Sequence, residues 1–222
     1  MESQEKRIFK NLLYDQFARI GKALASPRRL ELLDVLAQGE RSVEVLAQET
    51  GMSVANASQH LQVLRGAQLV ETRREGVTIY YRLASDEVST LWLSLRSVGE
   101  MHLAEVDRVV ETFLRNRAHL QPVSADELRE QLHRGQVILL DVRPVEEYRA
   151  AHLPQARSIP ISELETRLAE VPREQEIVAY CRGPYCVFAD EAVTILQAHG
   201  YQARRLEEGV PEWRTLGFPI EA

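Results

Sequence analysis

A chain of 222 residues, 45% hydrophobic and 27% charged, with a formal net charge of −6, can bury one large core or two modest ones. It has no apolar run near 18 residues and Met1 to Lys10 is polar, so neither a membrane span nor a secretory leader is expected, and a cytoplasmic protein is. Two cysteines five apart in one loop argue against a disulfide scaffold and for reactive thiols in a reducing compartment.

Charge is uneven along the chain. Up to Leu120, 16 Lys+Arg balance 16 Asp+Glu, and the remaining 11 basic and 17 acidic residues carry the whole negative excess. A nucleic-acid partner therefore has to meet the first half.

Ile8, Leu12, Leu13, Phe17, Ile20 and Leu24 follow a helical stripe, and Ser26-Pro27 marks the next start with proline at the first helical position. Leu30 to Leu36 forms a short helix stopped by Gly39. Ser42 caps a second helix ending at Gly51, and Ser53 caps a third that runs to Gly66. Two short helices joined through Thr50-Gly51-Met52-Ser53 are a helix-turn-helix pattern. In the second of them Val54, Ala57, Leu61 and Leu64 are expected to pack, leaving Ser53, Asn56, Ser58, Gln59 and His60 to face DNA. Amides can read adenine edges, and hydroxyls can reach phosphate. Arg65 is the one basic residue of that helix. Leu69 to Arg73 and Thr78 to Leu83 then alternate as strands around Glu75-Gly76, which places Arg73 and Arg74 near a hairpin tip.

A helix-turn-helix followed by a basic hairpin is a winged helix, and the text SPRRLELLDVL with LAQETGMSVANASQHLQVLRGAQLVETRREGVTIYYRL resembles the ArsR family of winged-helix repressors. The resemblance implies a homodimer on double-stranded DNA with a palindromic operator. Metal-sensing members carry cysteines on the helix before the reader helix. SVEVLAQE there has none, so no thiolate metal site is expected in this half.

Ser85 to His119 carries apolar residues at three- and four-residue spacing from Val88 to Leu114 and, with the first helix, is the expected dimer interface. His102 and Glu105 share a face there, but with no clear second pair they read as a polar interface edge, and no metal is expected. His119-Leu120-Gln121-Pro122 breaks the pattern. The expected division is residues 1–120 for DNA binding and dimerisation and residues 121–222 for a second domain.

In that second domain Ile177 to Tyr180 is a short apolar run suited to a buried strand. Val187, Ala189, Ala192, Val193 and Leu196 recur at helical spacing up to His199-Gly200. Cys181 stands at the strand's end, and the loop turns through Gly183-Pro184 into the helix. Unpaired amides of such a loop favour a sulfur anion, so a thiol pKa below the ordinary value is expected for Cys181.

The loop YCRGPYCVFADEA resembles the active-site loop of the rhodanese family. VILLDVR (Val137 to Arg143), AHLPQARSIP (Ala151 to Pro160) and LEEGVPEWRTLGFPIE (Leu206 to Glu221) resemble three further family segments in order. Ala151 and Val210 depart from the pattern where glycine is common. The fold class implied is a multidomain chain: a mostly α winged helix with a β-hairpin, then an α/β domain on a parallel sheet. The resemblance also implies a persulfide at Cys181, drawn from a small sulfur donor and passed to a thiol acceptor with no bound cofactor. Arg182 sits beside the nucleophile, and Arg143 ends a neighbouring strand where it can help hold an anionic donor. Asp141 is expected to brace the loop, His152 to be structural, Tyr180 and Tyr185 to pack, and Arg204 and Arg205 to lie on a solvated strand edge. Cys186 has two readings that stay open: a core residue of the first helical turn, or a thiol that resolves the persulfide. The related phosphatases need an arginine at position 187, which is Val187 here.

The function expected is a DNA-binding repressor whose second domain senses sulfane sulfur. The alternative is a sulfurtransferase whose winged half serves dimerisation or targeting.

Overall fold

A computed structural model describes residues 3–114, 117–120 and 122–222, and the chain divides into two units, Met1–Ser94 and Leu95–Ala222. The expected domain boundary falls on a segment of which Gln121 and the side chain of His119 lie outside the described residues.

The first unit begins with helices α1 (Ser3–Leu24) and α2 (Pro27–Leu36), followed by a two-residue strand β1 (Arg41–Ser42) and helices α3 (Val43–Glu49) and α4 (Val54–Gly66). Ser42 and Ser53 accept the backbone N–H groups of Val45 and Asn56, so both short helices start where a hydroxyl meets an otherwise unpaired amide. Gly51, at φ +62°, turns the chain between them, a conformation that costs a glycine little. Strands β2 (Val70–Glu75) and β3 (Thr78–Leu83) form the hairpin, and β1 adds to β3 to give the antiparallel order β1-β3-β2. Leu32, Leu33, Leu46, Leu61, Leu64 and Tyr81 fill the core beneath them. This is a winged helix-turn-helix.

Two expectations need correction here. Val54 does not pack: it opens α4 with 46% of its surface exposed, because its Cα precedes the turn that touches the core. The long segment after the wing is not one helix either. It breaks at Leu103, in extended conformation, into α5 (Asp86–His102) and α6 (Ala104–Phe113), which puts His102 and Glu105 on different helices. Among the described residues no group of three metal-binding side chains occurs.

In the second unit a 3-10 turn (Arg117–Leu120) precedes α7 (Ala125–His133), β4 (Val137–Asp141), α8 (Val145–Ala150), β5 (Arg157–Ser158), a 3-10 segment (Ile161–Glu170), β6 (Glu176–Tyr180), α9 (Phe188–Ala198), β7 (Ala203–Arg205) and α10 (Val210–Thr215). The four strands are all parallel in the order β5-β4-β6-β7, with the apolar, buried β4 and β6 at the centre. One core lies on the side of α9, from Leu140 and Ile177 to Leu196. The other lies on the side of α7 and α10 around Leu128, Tyr180 and Trp213. This is a rhodanese-like α/β domain. Among the described residues no helix is long and apolar enough to cross a membrane.

Candidate functional site

The second unit's site is built where β6 ends and α9 begins. Ile177, Ala179 and Cys181 face the α9 core, since alternate residues of a strand share a face, and Cys181 is 2% exposed. Gly183, at φ +134°, bends the loop back, and the Cys186 N–H donates to the Gly183 carbonyl. The curl sets Cys186 against the core that holds Cys181; both thiols are unlinked, and each shifts the other's titration. The backbone N–H groups of Gly183 and Ala189 favour an anion on Cys181, and those of Arg182 and Phe188 favour one on Cys186.

The electrostatics of the pair correct an expectation. Burial is the larger influence on Cys181 and pushes its thiol well up, whereas the hydrogen bond from Cys181 pulls Cys186 down to about 7, with the amides and the Arg182 charge adding to the effect. The first thiolate is therefore held by the pair, with its charge on Cys186, rather than by Cys181 alone.

Arg182 lies beside the loop, but its guanidinium is turned to the buried Glu147 carboxylate, at 3.0 Å from Nε and 2.5 Å from Nη2. Arg143 is fully buried, paired with Asp141 at 2.6 Å and donating to the Ala151 carbonyl at 2.8 Å. Its role is to lock the end of β4: Asp141 also accepts from the Arg143 backbone N–H and the Tyr180 hydroxyl. Glu147, 4.0 Å from Arg143 Nη1, joins this lock to Arg182. Tyr180 is buried and its phenol is pushed well up, while Tyr185, bonded to Glu100 at 2.6 Å, is pushed up to about 12, in both cases first by burial. Neither is an acid at neutral pH. His152 stacks on Tyr148 at 3.8 Å.

Three groups at this site were not expected from the sequence. Arg117 donates to the Pro184 and Cys186 carbonyls and pairs with Asp190 at 2.5 Å, so the segment before α7 holds the loop. Arg205 is 4% exposed and stands 3.4 Å from Asp190, which contradicts a solvated edge; Arg204 is also engaged, with Glu176 and Glu127. Glu212 of α10 lies against Gly183, where a Cβ would come within 3.0 Å of its carboxylate. The signal for Arg205 was its spacing from Ala203, which puts both on one face. Arg117 had none, because it is distant in sequence from the loop it grips. At Gly209 a Cβ would lie 2.6 Å from the Arg182 carbonyl, so only glycine lets α10 approach the loop.

In the first unit, α4 presents Asn56, Gln59, Gln62 and Arg65 as exposed side chains, with the apolar Val54 and Val63 beside them. Ser58 and His60 are half-buried on its flanks, and the Ser53 hydroxyl accepts the Asn56 N–H at 3.3 Å. On the wing, Arg73 bonds Glu40 at 2.9 Å and Glu75 at 2.8 Å and lies over the Tyr80 ring. Arg74 donates to the Gly76 carbonyl near the tip.

Comparison with known proteins agrees with both halves. Residues 26–72 match the bacterial regulatory protein arsR family, and residues 124–216 match the rhodanese-like domain. The HTH-type transcriptional regulator Rv0324 of Mycobacterium tuberculosis is 47% identical over 212 residues, which cover 96% of this chain and 93% of the relative. A homodimeric winged helix-turn-helix DNA-binding domain from Mycobacterium bovis, a possible ArsR-family regulator, is 52% identical and covers 42% of this chain and 87% of its own, with a TM-score of 0.41. A rhodanese-related protein from Thermoplasma volcanium is 25% identical over 45% of this chain and 96% of its own, with a TM-score of 0.41. Since the similarity to an HTH-type regulator runs through both units, the chain belongs to the arsR family of bacterial transcriptional regulators, in a form that carries a rhodanese-like domain.

Proposed function

We propose that this regulator binds a palindromic operator as a homodimer, and that its rhodanese-like domain loads sulfane sulfur onto the Cys181–Cys186 pair to change operator occupancy. The observation that carries the sulfur reading is the loop that curls back through Gly183 and sets the free thiol of Cys186 against the core beside the free thiol of Cys181. When the shared proton sits on Cys186, the Cys181 thiolate attacks the outer sulfur of a donor such as thiosulfate. The donor's S–S bond breaks, its electron pair leaves with sulfite, and Cys181 becomes a persulfide anion. Cys186 then attacks the Cys181 sulfur. The outer sulfur departs as hydrosulfide with the Cys186 proton, and a disulfide remains until two cellular thiols reduce it.

The dimer reading rests on α1. Leu12 and Phe17 are 61% and 59% exposed, and Ile8, Phe9 and Tyr14 are also largely uncovered, more apolar surface than a helix leaves to water. A regulator also needs two reader helices to span successive major grooves. The presence of a full reader helix and wing favours regulation over a sulfurtransferase with a vestigial winged half.

The test is footprinting of the full chain on its own promoter, with and without a sulfane-sulfur donor, beside intact-mass measurement. Wild type should lose two hydrogens and change occupancy, and Cys181→Ser should do neither. A variant lacking Cys181 that still responds would refute the reading.

A further inference from the structure

Strand β7 continues the sheet beyond β6 with Ala203 opposite Ile177 and Arg205 opposite Ala179. Ala203 belongs to the same core face as Ile177, Ala179 and Cys181. Arg205, two residues on, lies on that face as well, in the row next to Cys181. A guanidinium in this place is costly, because it replaces an apolar side chain with a buried charge. Its Nε atom is buried and, among the described residues, makes no hydrogen bond; its ion partner, Asp190 Oδ1 at 3.4 Å, is likewise without one. Asp190 sits in the first turn of α9, next to Ala189, whose N–H reaches the Cys181 sulfur.

The charges around the loop are unequally matched. On the α8 side, Arg182 is answered by Glu147. On the α10 side, Glu212 is answered by Arg96 at 2.8 Å. On the α9 side, however, Asp190 is shared by Arg117 and Arg205, with the exposed Glu207 beyond. Two cations on one carboxylate leave positive charge where Cys181 lies.

We infer that Arg205 is a positioning residue for Cys181: from within the sheet it stabilises the sulfur anion of Cys181, first the thiolate formed when the shared proton sits on Cys186 and then the persulfide, and so speeds attack by Cys181 on the donor. This rests on the sulfur-loading reading above. The amides serve both sulfurs alike, two to each, and Arg182 influences Cys186. Arg205 stands on the Cys181 side, in the β7 row beside Ala179, and a charge on Cys181 favours its guanidinium's charged form against the larger effect of burial. Once the persulfide has formed, its charge replaces part of what the buried guanidinium lost with water.

The experiment uses the full chain carrying Cys186→Ser, so that Cys181 titrates alone, with thiosulfate as donor from about pH 6 to 9. Sulfite release and the gain of one sulfur by mass are followed. With Arg205 present, the rate should rise with pH. Arg205→Gln should move that profile up by about one pH unit, a rate about tenfold lower at neutral pH, and Arg205→Lys should restore at least half of the shift. A Gln profile that overlays its parent overturns the inference, and so does a Lys variant displaced as far as Gln, which would mark a packing effect. If the Gln variant does not fold, the Lys variant decides alone: a profile within about half a unit of the parent supports the charge role, and a larger displacement overturns it. Failure of the parent itself to take up sulfur would instead refute the sulfur-loading reading, so the two failures are distinct.

Discussion

Replacing Cys181 by Ala should raise the thiol titration of Cys186, because the hydrogen bond from Cys181 is the first cause of its low value. In the wild type one thiolate should appear with a midpoint near 7, against about 8.5 for a free thiol. At pH 7 that is roughly half ionised instead of roughly 3%, a gain of about fifteenfold in thiolate. Because a less basic thiolate is a weaker nucleophile, by about fivefold over such an interval, alkylation should quicken by only about threefold. Thiolate absorbance is therefore the better assay. Cys181→Ala should move the midpoint up by about one unit, and Cys186→Ser should leave a Cys181 thiol that titrates above the free value, since burial raises it. The effect on stability follows from the same direction. A depressed thiol contributes stability that is complete above the ordinary thiol value and is lost as pH falls through about 7. The raised Cys181 contributes in the opposite sense and loses its share as pH rises through its own higher value. A wild-type midpoint at or above about 8.5 would refute the shared-proton pair, and so would a midpoint that stays at 7 without Cys181.

Three further outcomes can be measured directly. Asp141→Asn leaves the fully buried Arg143 charge without its carboxylate, and urea unfolding followed by Trp213 in a Trp92→Phe background should show a loss of about 3 to 5 kcal/mol; a loss below about 1 kcal/mol would mean the pair does not lock β4. On the wing, Arg74→Ala should lower the salt slope of DNA binding by about one, and Arg73→Ala by less, because Glu40 and Glu75 already answer its charge. Equal slopes for both variants would show that Arg73 exchanges its partners for phosphate. Phe17→Asp places a charge on the uncovered face of α1 and should halve the mass seen by light scattering while leaving helix content unchanged; an unaltered mass would move the dimer interface elsewhere.

The sequence by itself determined the elements and the two families, because these rest on local rules. Ser42 and Ser53 cap helices where a hydroxyl precedes an apolar period, Gly51 turns between them, and apolar runs such as Val137–Asp141 and Glu176–Tyr180 make buried parallel strands. The nucleophile loop was legible for the same reason, since strand, Cys181, turn and helix are contiguous. Which charges meet was settled by folding in three dimensions. Arg143 and Arg182 stand near Cys181 in sequence or in the sheet, yet buried carboxylates claim both. Arg117 and Arg205 come from remote segments to share Asp190 beside the thiols. The break at Leu103 and the exposure of Val54 are of the same kind: a three- and four-residue apolar period records that a face is apolar, not whether another surface covers it or where the helix bends. The placing of the thiolate on Cys186 also belongs to the fold, because a proton shared between two sulfurs settles on the more deeply buried one, and burial is not written in the spacing of the cysteines.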